Sequence, residues 1–132
     1  MIDNVILNKV DSIKKCTSRI NEEFDKDFRT NLAKQDSVVL NLKRISQATI
    51  DIATHIVRVK KLGIPKTSKE VFSLLENFDY ISKKTSSNMQ KMVGFRNIAV
   101  HDYQNLNIEV VIAIVENHLD DFVEFSNEIL KK

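Results

Sequence analysis

Two glycines and one proline in 132 residues leave this chain few means of turning tightly. Strand-rich folds reverse direction often, and their turns draw on glycine and proline for backbone angles that other residues reach at a cost. A chain poor in both is steered toward a few long helices. Apolar residues make up 42% of it, enough for a packed core. The length fits a single domain, residues 1–132. The expected fold is all-α, an up-and-down bundle of four main helices plus one short helix.

Apolar periodicity locates the helices. From Ile2 to Phe24, the residues Ile6, Val10, Ile13, Ile20 and Phe24 recur at helical spacing, with Lys14, Lys15, Asn21 and Glu22 off the stripe. Asp25 to Lys34 is polar and irregular and reads as a loop or a frayed helix end. A second, longer helix is expected from Asp36 or Ser37, both good N-cap types, through Val38, Leu42, Ile45, Ile52, Ile56 and Val59. Gly63 and Pro65 stop it. Thr67 with Glu70 has capping-box form and opens the short helix carrying Val71, Phe72, Leu74 and Leu75. A further helix is expected from about Ser86 to His101. The last starts near Asn107 and ends in Lys131 and Lys132, whose charges suit the negative end of the helix dipole.

Several classes of function are disfavoured early. With 20 basic and 18 acidic residues the formal net charge is only +2, so the chain as a whole is no electrostatic clamp for a nucleic acid. Any RNA contact has to come from local placement or from a second subunit. One cysteine, Cys16, cannot form an internal disulfide and fits a reducing compartment. No apolar run approaches a membrane span, and no leader pattern opens the chain, so it reads as cytoplasmic.

The stretch from Met92 to Tyr103 carries the chemistry. Met92, Arg96, Val100 and Tyr103 share one helical stripe, which puts an arginine among apolar neighbours. Gly94, Asn97 and His101 share the adjacent one. Glycine inside a helix costs about 1 kcal/mol relative to alanine, so Gly94 suggests a close approach to the backbone there. Arg96 and His101 suit metal-free RNA cleavage. A histidine can take the proton of a 2′-hydroxyl or return one to the leaving 5′-oxygen near neutral pH. An arginine is always charged and its forked donors match the phosphoryl oxygens of the transition state. Asn97 is placed to fix the imidazole tautomer or to hold a phosphate oxygen. Five residues apart on an ideal helix, however, Arg96 and His101 diverge by about 140° and by about 7.5 Å along the axis. Either the helix breaks near His101, or a symmetric partner supplies the opposing group. The plainer reading is an arginine paired with a carboxylate across the bundle and a histidine that merely ends a helix.

The whole string is more specific than the spacing. Arg96-Asn97-Ile98-Ala99-Val100-His101-Asp102-Tyr103 resembles the R-x4-H-x-Y signature of HepT proteins, a branch of the HEPN superfamily. Lys91 to Phe95 ahead of the motif and Gln35 to Val38 resemble the family too, so the likeness covers essentially the whole chain. The resemblance implies a HEPN-type bundle acting as a metal-independent endoribonuclease toxin, with no cofactor. It implies a homodimer whose two motifs, each with catalytic Arg96 and His101, face one cleft. It also implies an MntA-type nucleotidyltransferase antitoxin that silences the RNase by transferring AMP onto Tyr103. The alternative is a non-catalytic partner or nucleotide-binding subunit of a small nucleotidyltransferase. Such members often lack the arginine and histidine, and both are present here.

The remaining polar residues read as structural. His55 lies among Ile52, Ala53 and Ile56 as a partly buried helix histidine. His118 has Glu116, Asp120 and Asp121 nearby, but their spacing does not converge as metal ligands do, and no metal site is assigned. Cys16 reads as packing. Lys43, Arg44, Lys60 and Lys61 are the candidates for a local basic surface on the second helix.

Overall fold

A computed structural model describes residues 3–132. Ile2, where the first apolar stripe begins, lies outside them. Six α-helices follow in order: α1 (Asn4–Glu23), α2 (Leu32–Val59), α3 (Ser68–Asn77), α4 (Lys83–His101), α5 (Ile108–Asn117) and α6 (Leu119–Leu130). The expected bundle is there, with α3 as its short helix. Helix α2 lies at its centre, packed against α1, α3, α4 and α6. It buries Leu42, Ile45, Ile52 and Ile56 together with Asn41, Ser46 and Thr49. Within this helix the Thr49 hydroxyl donates to the Ser46 carbonyl at 2.8 Å and the Asn41 amide to the Ser37 carbonyl at 2.8 Å. Asn41 Oδ1 and Ser46 Oγ, in contrast, are buried without a hydrogen-bond partner among the described residues. Phe72 of α3 and Phe125 of α6 meet edge to face, 5.8 Å between centroids, and close the far side of the core. No helix among the described residues is long and apolar enough to cross a membrane.

The boundaries differ from the sequence expectation where local chemistry was misassigned. Helix α2 starts at Leu32, because Asn31 rather than Asp36 or Ser37 is its cap: the Asn31 side chain accepts from the Lys34 N–H at 3.0 Å. Asp36 is thereby placed inside the helix. The polar stretch before it is pinned by a 3-10 turn, Phe28–Thr30, whose Phe28 is buried and packs on Phe24 at 4.9 Å. Helix α4 starts three residues before Ser86, since Ser82 caps it through the Thr85 N–H at 3.1 Å. The final helix is two helices divided at His118, whose ring pairs with Asp121 at 3.0 Å.

Helix α2 also ends earlier than Gly63. The Lys61 N–H donates to Arg58 and the Leu62 N–H to Val57, which is a Schellman closure with Lys61 in the left-handed region at φ 54°. Gly63 has a different task. Its φ is +148°, and a Cβ built there comes within 3.1 Å of Leu74 Cδ2. Thr67 then caps α3 as expected by accepting from the Glu70 N–H, while Glu70 accepts from the Lys66 N–H rather than from Thr67. Replacing Gly63 with Ala should cost about 1–3 kcal/mol, because the backbone angle there is closed to L side chains. Urea unfolding measures it. An unchanged midpoint would contradict this reading of the α2–α3 connection.

Candidate active site

The Met92–Tyr103 segment is helix for most of its length and turn at its end. Helix α4 faces the core with Met89, Met92, Val93, Phe95 and Ala99, leaving Asn97, Ile98, Val100 and His101 exposed. His101 is the last helical residue. Asp102 leaves the helix at φ −146°, ψ 44°, and its N–H closes on the Ile98 carbonyl at 2.8 Å. A 3-10 turn, Tyr103–Asn105, follows, closed by Asn105 N–H to Asp102 and Leu106 N–H to Tyr103. The chain therefore breaks one residue too late to bring His101 round toward Arg96. The divergence of about 140° between them stands.

Arg96 is half-buried, and its guanidinium turns toward the start of α3, where one Nη lies 3.5 Å from the Ser68 hydroxyl. Its Nε is buried without a hydrogen-bond partner. Among the described residues no carboxylate lies within ion-pair distance of it. The plainer expectation of an arginine tied across the bundle does not describe this fold. A desolvated guanidinium without a counter-ion is costly to keep unless an anion visits it. No hydrogen bond joins Asn97 to His101 among the described residues, so the tautomer-fixing contact expected of Asn97 is not made within one chain.

Gly94 opens onto free space, since a Cβ there would meet nothing within 4 Å. It lines a groove of about 430 Å³ with Met92, Phe95, Ile98, Leu106 and Val110. Ile98 and Val110 are each 47% exposed, so this groove presents a partly apolar face alongside the motif.

Tyr103 is held by a residue that sequence reasoning treated only as a cap. Its hydroxyl donates to Asp36 of α2, 67 positions away in the chain. The ring lies in a groove of about 410 Å³ lined also by Leu32, Gln35, Val39, Gln104 and Leu106. The hydrogen bond to Asp36, then burial and the carboxylate's charge, push the phenol up to about 12. Ser68 and Asp36 have no local signature, because each meets the motif only through the tertiary fold.

The other polar residues find ordinary partners. His55 Nε2 lies 2.7 Å from Asp3 Oδ2, and Asp3 also caps α1 through the Ile6 N–H. The His55 contact is the main reason the Asp3 carboxyl sits below its usual range. Cys16 packs against the core, and burial pushes its thiol up. Arg44 groups with Lys9, Lys15 and Arg19 of α1 along a groove of about 420 Å³, rather than with Lys60 and Lys61 at the far end of α2.

The Tyr103 hydrogen bond has a direct spectroscopic consequence. The folded phenol ionises above the unfolded one, so the bond stabilises the fold below the unfolded value of about 10. That contribution is lost as pH rises through about 12. In a Tyr80→Phe background, ultraviolet titration should follow Tyr103 alone to about 12. Adding Asp36→Asn should return it toward about 10. A titration that ignores Asp36→Asn would contradict the contact.

Comparison with known proteins matches this geometry to a family. A family model described as Ribonuclease HepT-like matches residues 6–129. The mRNA nuclease HepT of Shewanella oneidensis is 45% identical over 130 residues, 97% of this chain and 98% of that protein. The tRNA nuclease HepT of Aphanizomenon flos-aquae is 25% identical over 103 residues, 78% of this chain and 70% of that protein. Among solved structures, the tri-AMPylated HEPN toxin of Shewanella oneidensis in complex with MNT antitoxin superposes with a TM-score of 0.95. It is 44% identical, over 99% of this chain and 100% of that one. With a matching helical bundle, a matching length and the R-x4-H-x-Y string in place, the chain belongs to the HepT-like ribonucleases, RNA-cleaving toxins built on the HEPN fold.

Proposed function

We propose that this chain cleaves RNA without a metal ion, using Arg96 and His101, as the toxin of a pair whose antitoxin is an MntA-type nucleotidyltransferase. The observation that carries the assignment is Arg96, a half-buried guanidinium with no carboxylate partner among the described residues, on the same helix as an exposed terminal histidine. In the proposed reaction the 2′-hydroxyl of RNA attacks the adjacent phosphorus and the bond to the 5′-oxygen breaks. Imidazole groups of His101 remove the first proton and deliver the second. Arg96 neutralises the charge gathering on the phosphoryl oxygens. Asn97, exposed beside them, is assigned to holding a phosphate oxygen.

A homodimer supplies what one chain does not. Because His101 is still helical, Arg96 and His101 of one α4 point apart, and a symmetric partner can bring an imidazole toward each guanidinium. The exposed Ile98 and Val110, with open space above Gly94, favour this side of α4 as the contact. Pairing also doubles the positive charge offered to RNA by a nearly neutral chain.

Tyr103 is assigned as the residue that receives AMP. The phenol sits two residues past His101, and the Shewanella oneidensis toxin is described as tri-AMPylated in complex with its MNT antitoxin. Each AMP adds a phosphodiester charge and a nucleoside, which repel and displace an incoming RNA backbone.

His101→Ala should lower cleavage of purified RNA by at least about 100-fold, the usual size of a proton-transfer contribution, with helix content unchanged. Arg96→Lys should recover little, because an ammonium cannot offer a bidentate fork. EDTA should leave the parent's rate intact, and products should end in 2′,3′-cyclic phosphate. Cleavage by His101→Ala at the parent's rate, or 5′-phosphate products that vanish with EDTA, would overturn the mechanism.

A further inference from the structure

We propose that Asp36 is the base for modification of this toxin: when Tyr103 is nucleotidylated, the phenolic proton passes to the Asp36 carboxylate. The inference rests on the reading of Tyr103 as the AMP acceptor, and adds that the acceptor chain supplies its own proton sink. In the step, the Tyr103 oxygen forms a bond to the α-phosphorus of a nucleoside triphosphate brought by the antitoxin. The bond from that phosphorus to the bridging oxygen breaks, and pyrophosphate leaves with the bonding pair. The proton rests on Asp36 and is later lost to water.

Three observations converge on Asp36. The first is direct contact, since the Tyr103 hydroxyl already donates to the Asp36 carboxylate. The second is isolation. Leu32, Gln35, Val39, Gln104, Leu106, Ile108 and Val111 complete the lining of that groove, and none of them carries a charge. His101, two residues away in sequence, makes no hydrogen bond to Tyr103. The third is need. With the phenol held at about 12, only about one molecule in 10⁵ is phenolate at neutral pH. Attack therefore has to begin from the neutral hydroxyl, with a base in place to take the proton as the oxygen–phosphorus bond forms. The same carboxylate that holds the proton on at rest becomes its acceptor once the oxygen bonds to phosphorus and loses its basicity. A carboxylate plays this part for the hydroxyl nucleophile in protein kinases.

Asp36 is also placed to expel the product. Modified Tyr103 has no proton left to donate, and its new phosphodiester charge faces the Asp36 carboxylate across a solvent-exposed groove. The ring is thereby driven off α2.

The test is a time course of intact mass for the full-length toxin with its cognate nucleotidyltransferase and ATP. Parent, Asp36→Asn, Asp36→Glu and Tyr103→Phe are compared. Asn keeps an acceptor oxygen for the phenol but cannot take its proton. We expect Asp36→Asn to slow the first AMP addition at least about 10-fold in the saturated rate, with the concentration of antitoxin needed for half-saturation little changed. Asp36→Glu should recover part of the loss. Any further AMP joined to the nucleotide already attached should go on at the parent's rate, because its acceptor hydroxyl is remote from α2. A first addition to Asp36→Asn at the parent's saturated rate overturns the proposal. So does a loss confined to half-saturation, which would make Asp36 a docking residue. AMP on the Tyr103→Phe variant would instead overturn the acceptor assignment beneath it, and so separates the two failures.

Discussion

The burial of α2 is the constraint on which the rest depends. One 28-residue helix carries core contacts to α1, α3, α4 and α6, so the positions of the other helices are set by which of its faces each one covers. The same helix carries Asp36, which holds Tyr103 and is, among the described residues, the only ionisable group lining that groove besides the phenol itself. Core and site are thus two faces of one rod. A disturbance that rotates α2 moves the tyrosine, and a change at the tyrosine is felt on an element that the whole bundle grips.

Helix α4 shows how a packing helix is turned to chemistry. Its buried face is ordinary, with Met89, Val93 and Phe95 against the core. Its remaining sides give up the ion pairs and leucines that stabilise surface helices, and keep a glycine, exposed valine and isoleucine, a terminal histidine and an arginine without a counter-ion among the described residues. The glycine and the unpaired arginine each cost stability in isolation. Together they fit the proposal that something outside the chain completes this surface: an RNA phosphate at the guanidinium and a second copy along α4.

Much of this was legible in the sequence, and the misses share a cause. The scarcity of glycine and proline, with the apolar periodicity, gave helices and a bundle, since both are local consequences of backbone cost and burial. The motif residues stood out because Arg96 and Gly94 occupy positions that a packing helix would fill otherwise. Boundaries failed where a cap was chosen by residue type alone: Asn31 outcompeted Asp36 because Phe28 anchors the preceding turn and lets α2 begin early. The break at His118 hides within an unbroken apolar stripe, because α5 and α6 both keep core-facing residues through it. Asp36 and Ser68 carry no signal at all in one sequence, since their significance lies in what the fold sets beside them.

The central claim is that one chain holds Arg96 and His101 apart and that two chains together make the site. Complementation measures this most directly: purified Arg96→Ala and His101→Ala proteins, each inactive alone, are mixed, allowed to exchange subunits and assayed on RNA. A cleft that pairs Arg96 of one chain with His101 of the other predicts that the mixture regains a sizeable fraction of parent activity, in proportion to the mixed dimers formed. A mixture that forms mixed dimers and stays as inactive as its components would contradict it.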